Sequence, residues 1–189
     1  MASIILKNCT LLNSDSPELQ ENIHILITDD RISEVSETPI KSSSAHVIDV
    51  KGKTVMPGLI DAHVHLGRLV VEDTGLKPAQ LLRWMDRYGI EKAIVMAVEV
   101  PEEVDFLVST EALLGLTRRY RDRLLPLCST DPRHRYPGRF EPYPILAEYV
   151  DRGCVGYGEN LCGLPVDHPM QQKVYEACDK LGLALGMHF

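Results

Sequence analysis

Five consecutive residues, Asp61-Ala62-His63-Val64-His65, carry the clearest chemistry in the 189-residue chain. They belong to an apolar run, Leu59–Leu66, that reads as a β-strand. Side chains at i and i+2 on a strand share a face. His63 and His65 therefore point the same way, with Asp61 on that face too. Two imidazoles at this spacing can bind one metal ion from a single strand, and zinc is the usual catalytic partner of histidine. A bare His-x-His also arises by chance, as two histidines satisfied inside an inert strand, so its context decides its weight.

The elements around it divide the chain. Residues 1–57 read as short strands: Ile4–Leu6 running on to about Leu12, an Asn22–Thr28 and Arg31–Val35 hairpin turned at Asp29-Asp30, and His46–Val50 before the Lys51-Gly52-Lys53 turn. From residue 58 strands and helices alternate, the pattern of a parallel sheet with crossover helices. The strands are Leu59–Leu66, Lys92–Val98, Leu124–Cys128, Cys154–Glu159 and Leu183–His188. The helices are Pro78–Tyr88, a stretch from Pro101 to about Tyr120, Tyr143–Arg152, and one capped at Asp167 that runs to Leu181. The expected architecture is a small β-sandwich-like domain, incomplete in itself, over residues 1–57. A partial (β/α)₈ barrel of about four and a half βα units follows over residues 58–189, where a closed barrel needs eight strands.

The stretch Val47–Leu66, VIDVKGKTVMPGLIDAHVHL, resembles the entry segment of amidohydrolase-superfamily enzymes, of the imidazolonepropionase and dihydroorotase kind. The resemblance implies a small β-domain before a (β/α)₈ barrel, with the His-x-His of the first barrel strand supplying two metal ligands. It further implies a carboxylate from strand 4, histidines from strands 5 and 6, and an aspartate from strand 8. Many relatives carry a carbamylated lysine on strand 4, but no lysine lies between Lys92 and Lys173. Glu159 is the acid at the end of that strand, similar in place to the strand-4 glutamate of TatD-like metal hydrolases; the competing reading is a solvated acid on a loop. His188 ends strand 5 with Ala184 and Gly186 on its face, which suits a ligand beside a crowded interior. Leu161–Phe189 also resembles the strand-5 region of the decarboxylase-related branch. The strand-6 histidine and strand-8 aspartate have no counterpart before Phe189, so the chain is expected to be truncated, to bind metal weakly and to lack the general base.

Other polar residues are weaker candidates. Arg133 and Arg135 follow the third barrel strand and could grip a substrate carboxylate, against the plainer reading of a solvated loop. Glu99 and Asp131 end strands and read as structural. Cys128 and Cys162 lack an adjacent histidine and read as packing residues. Trp84 and Met85 read as core, His168 as part of a helix cap, and His24 and His46 carry no assigned role.

The formal charge of −7 disfavours nucleic-acid and polybasic membrane binding. The five cysteines are odd in number and scattered, as in a reduced cytoplasmic protein. The implied activity is metal-dependent hydrolysis of C–N (amide, cyclic amide) or ester bonds in a small molecule. One or two divalent ions are expected, zinc first and manganese, iron or nickel also admissible. The alternatives are a metal-dependent decarboxylase or hydratase of the same superfamily, or a non-catalytic scaffold. An open edge at Leu183–His188 implies self-association into a homo-oligomer.

Overall fold

The computed structural model describes residues 3–12, 18–68, 75–99, 107–134 and 139–188. The chain divides into two compact units, Met1–Pro57 and Gly58–Phe189.

The first unit is one mixed five-stranded sheet, where the sequence suggested a sandwich. Its strands are β1 (Ser3–Leu12), β2 (Leu19–Thr28), β3 (Arg31–Ser36), β4 (His46–Asp49) and β5 (Thr54–Val55). The order is β3-β2-β1-β4, with β5 also on β1. The β2–β3 hairpin turns at Asp29-Asp30, as the polar pair between apolar runs requires. Less visible beforehand is that β4 and β5 both lie parallel to β1, separated by the turn at Lys51-Gly52. A small core of Cys9, Ile23 and Ile25 backs the sheet.

The second unit is a parallel half-barrel, a partial TIM barrel. Its sheet runs β12-β11-β10-β7-β6, from β6 (Leu59–Val64), β7 (Ile90–Met96), β10 (Leu124–Cys128), β11 (Gly156–Asn160) and β12 (Ala184–Met187). Every neighbouring pair in it is parallel. The crossovers carry α1 (Pro78–Tyr88), α2 (Thr110–Thr117), α3 (Pro142–Asp151) and α4 (Pro169–Leu181). A short antiparallel pair, β8 (Val98–Glu99) with β9 (Leu107–Val108), precedes α2. Among the described residues no helix is long and apolar enough to cross a membrane.

The strands assign their faces by which side chains meet the helices. Val64 and Leu66, Ala93, Val95 and Ala97, and Leu124 pack with Leu81 and Met85 of α1 and Leu113 of α2. Cys128, Cys154 and Tyr157 pack with Leu146 of α3 and Val174, Ala177 and Cys178 of α4. The alternate positions, His63, His65 and Met96 among them, therefore face the concave side.

Two elements differ from the sequence reading. The expected Pro101–Tyr120 helix is shorter: residues 107–108 are strand, and α2 starts at Thr110 behind Ser109, whose hydroxyl accepts from Ala112 N at 3.2 Å. Pro101 itself lies outside the described residues. The cap of α4 is His168 in place of Asp167, its Nδ1 accepting from Met170 N at 3.2 Å. Trp84, expected in the core, is 55% exposed, whereas Met85 is fully buried.

Glycine makes the concave face possible where β11 meets β12. A Cβ on Gly158 would lie 2.9 Å from both the Cα and the carbonyl oxygen of Gly186, and its φ of +149° disfavours other residues. Gly158→Ala is expected to destabilise the chain by about 2 kcal/mol. Gly115→Ala, in the interior of α2 with nothing within 4 Å of the new methyl group, is expected to stabilise it by about 0.5–1 kcal/mol. Thermal melts of the two variants check the pair, and equal shifts would contradict the packing described.

Candidate metal centre

His63 and His65 stand at the C-terminal end of β6, where the outward neighbours Val64 and Leu66 are held by the helices. Their Nε2 atoms are 2.9 Å apart and their rings meet edge to face. Asp61 does not join them: its carboxylate accepts from the His63 backbone N–H at 3.1 Å and shapes the strand end instead.

Glu159 arrives from the other side of the sheet. Its Oε2 lies 3.0 Å from His65 Nε2 and 3.5 Å from His63 Nε2. His188, just past β12, places Nδ1 2.5 Å from Glu159 Oε1. The structure thus brings all four candidate ligands together, three of them within a 4.8 Å group. In a flat sheet, the three interstrand steps from β6 to β11 would span about 14 Å. The contact at 3.0 Å is reached because the sheet curves and both side chains extend into its concave side.

Simple alternation would not aim Glu159 there. Tyr157, two residues earlier, is packed against the helices, its hydroxyl donating to Thr130 O at 2.7 Å. Between them the register slips: Tyr157 faces Leu185 but Asn160 faces Met187, so β11 holds one residue more than β12. That bulge turns Glu159 inward. Its backbone is then tied down, with N donating to Ala97 O at 3.0 Å and O accepting from Ser129 Oγ at 3.3 Å. A similar slip on β6, where Asp61–Val64 spans Ala93–Val95 of β7, sits at the His-x-His.

The electrostatics point to a cation. Glu159 is 4% exposed, and the ion-pair partners the structure gives it are the three histidines. A buried carboxylate without a counter-charge is costly. His65 Nδ1 lies 3.3 Å from the Met96 carbonyl, which can only accept. The proton of a neutral His65 ring therefore sits on Nδ1, and the Nε2 lone pair faces His63 and Glu159. A backbone carbonyl orienting an imidazole in this way is the usual support of a metal ligand. The donor set, imidazole nitrogens with a carboxylate, fits a divalent ion such as zinc. The sequence could not have supplied the Met96 carbonyl, which is fixed only by the β6–β7 register.

The remaining candidates fall elsewhere. Arg133 forks onto Asp131, with Nη2 to Oδ2 at 2.7 Å and Nε to Oδ1 at 3.0 Å, so this face of its guanidinium is engaged within the chain. Arg135 lies outside the described residues. Glu99 accepts from Thr110 N at 2.9 Å at the start of α2. All five cysteines are buried and unpaired, and burial pushes the Cys178 thiol up to about 11, which suits packing and not nucleophilic attack.

Zinc titration calorimetry checks the centre. The wild-type chain is expected to bind, His63→Ala with His65→Ala to lose binding, and Glu159→Gln to weaken it by roughly ten- to a hundredfold. Zinc at a hundred times its Kd should also stabilise the wild type by about 2.7 kcal/mol. Equal binding by all three proteins would remove these residues from the site.

No family model matches the chain. Among curated proteins it is 36% identical over 66 residues to an L-hydantoinase of Paenarthrobacter aurescens, covering 35% of this chain and 14% of that protein. It is 34% identical over 90 residues to a 5'-deoxyadenosine deaminase of Methanosarcina acetivorans, covering 47% and 20% respectively. With a dihydroorotase of Bacillus thuringiensis it shares 39% over 62 residues, 33% of this chain and 14% of that one. Each match thus spans a fifth or less of the curated relative's length. Among solved structures, the D-hydantoinase of a Thermus species superposes with a TM-score of 0.66 at 18% identity, over 98% of this chain and 40% of that one. A solved amidohydrolase matches with a TM-score of 0.57 at 26% identity, over 97% and 55%. The half-barrel and its His-x-His strand thus resemble part of these larger amidohydrolase-superfamily proteins.

Proposed function

We propose that this chain contributes the metal-holding strands of a hydrolase that cleaves C–N or ester bonds in a small molecule. The observation that carries the reading is the convergence of His63, His65 and Glu159 on one point, with the His65 lone pair aimed there by the Met96 carbonyl. Similarity to proteins named L-hydantoinase, 5'-deoxyadenosine deaminase and dihydroorotase supports it.

A divalent ion at this point would be held by His63, His65 and Glu159, with His188 beside them, and would supply Lewis acidity and an acidified water. The chain's own residues do the rest. The curved sheet sets the two imidazoles against the carboxylate. The Met96 carbonyl keeps the His65 proton on Nδ1, away from the centre. Glu159, held at its backbone by Ala97 and Ser129, sets a buried carboxylate against the imidazole nitrogens, where a cation would offset its burial. His188 contacts the other carboxylate oxygen and is itself more than half exposed, which puts a proton-carrying side chain at the open edge of the group. Zinc is the first choice of ion.

The test is a screen of amides, cyclic amides and esters with zinc- or manganese-loaded protein. It is run on this chain and on the longest reading frame that contains it. Hydrolysis in the longest frame should stop with a chelator and fall at least about a hundredfold in Glu159→Gln. Turnover that survives both changes, or release of carbon dioxide from a carboxylate substrate, would contradict the proposal.

A further inference from the structure

Glu159 points against the alternation of its strand, so bonds outside the regular ladder must hold it. The pairing of β10 with β11 ends at Cys128 and Tyr157. The bulge between β11 and β12 falls on the residues that follow. Glu159 stands in that gap, with its N–H donating to Ala97 O at 3.0 Å and its carbonyl accepting from Ser129 Oγ at 3.3 Å. A serine hydroxyl rotates to suit its surroundings, so its aim is only as good as the backbone that carries it.

The Ser129 backbone is fixed from the helix layer. Thr110, the first residue of α2, is fully buried, and Ser129 nearly so. The Thr110 hydroxyl donates to the Ser129 carbonyl at 2.8 Å and accepts from the Ser129 N–H at 2.9 Å. One side chain thus does for Ser129 what a neighbouring strand does for the residues before it. Thr110 is set in turn by Glu99, whose Oε1 accepts from the Thr110 N–H at 2.9 Å. We infer that Thr110 is a positioning residue for the metal centre: by clamping Ser129 it sets the direction of the Glu159 carboxylate. The inference rests on the reading of His63, His65 and Glu159 as a metal site. A ligand must be held to within about half an ångström of its place, so slack in the clamp is felt at the ion. Valine has the shape of threonine but would leave the buried Ser129 N–H and carbonyl without this partner. Serine keeps the hydroxyl and loses only a methyl group. Thr117, buried on the last turn of the same helix, offers the contrast: its hydroxyl donates to Leu113 O at 2.9 Å, within α2 itself.

The experiment is zinc calorimetry on the 189-residue chain and its variants, with thermal melts of the metal-free proteins. Thr110→Val and Ser129→Ala should each lose about tenfold in zinc affinity. The double variant should lose about as much as either alone, because the two residues act in one line. Thr110→Ser should bind as the wild type does. Thr117→Val should melt lower than the wild type yet keep its affinity, which separates positioning from stability. Wild-type affinity in Thr110→Val, or an equal loss in Thr117→Val, would overturn the inference. Should Thr110→Val not fold, wild-type affinity in Ser129→Ala would overturn it as well, since the clamp acts through Ser129. A wild-type chain that binds no zinc would remove the metal centre itself, and the inference with it. Zinc bound equally by the wild type, Thr110→Val and Ser129→Ala would remove the inference alone.

Discussion

A buried carboxylate surrounded by imidazole nitrogens is the constraint on which the rest of this structure turns. Glu159 has lost its water but has no lysine or arginine partner among the described residues. The chargeable atoms the structure sets against it are nitrogens of His63, His65 and His188, and His65 has its lone pair turned towards it. Removing a carboxylate from water costs several kcal/mol unless a positive charge replaces the lost hydration. Either protons shared with the histidines or a metal cation fills that role. The Met96 carbonyl tips the balance, since it holds a proton on the far side of His65 and leaves the near side for a cation.

Meeting this constraint shapes the backbone over long distances. The histidines and Glu159 lie three strands apart, so the sheet must curve to let them touch. Curvature crowds the concave face. Gly158 and Gly186 lie backbone to backbone, and Met96 Cε stands 3.3 Å from where a Gly186 side chain would begin. β6 and β11 each carry a register slip at the candidate ligand, at His63 and at Glu159. Bulges of this kind re-aim single side chains at the rim of a sheet without disturbing the helices packed behind it. The outer layer shows none of this irregularity. Its buried clusters follow plain alternation, with Val64, Ala93, Val95 and Leu124 meeting α1 and α2.

How much of this was legible in the sequence depends on which interactions are local. The bounds of α1 and β10, the β2–β3 hairpin and the glycine ends of α1 and α4 follow from apolar period and turn residues, and they were readable. His63 and His65 were readable because i and i+2 share a face. Glu159 was readable as an acid at a strand end, but its direction was not: alternation would have grouped it with Tyr157, and the bulge that separates them depends on pairing with β12. The parallel pairing of β4 and β5 with β1 was hidden for the same reason, being a contact between distant segments. The start of α2 was misplaced although Ser109-Thr110-Glu111 is a serviceable cap signal, because Pro101 offered a competing one.

The central claim is that His63, His65 and Glu159 together hold a divalent cation, and X-ray absorption at the zinc edge tests it most directly. Zinc is loaded at one equivalent into the wild-type chain and into Glu159→Gln. The account predicts a first shell of nitrogen and oxygen at about 2.0–2.1 Å, with outer-shell scattering from two or more imidazoles, and a shell that loses a protein oxygen in Glu159→Gln. A sulfur shell at about 2.3 Å, or a spectrum of hydrated zinc identical in the two proteins, would contradict it.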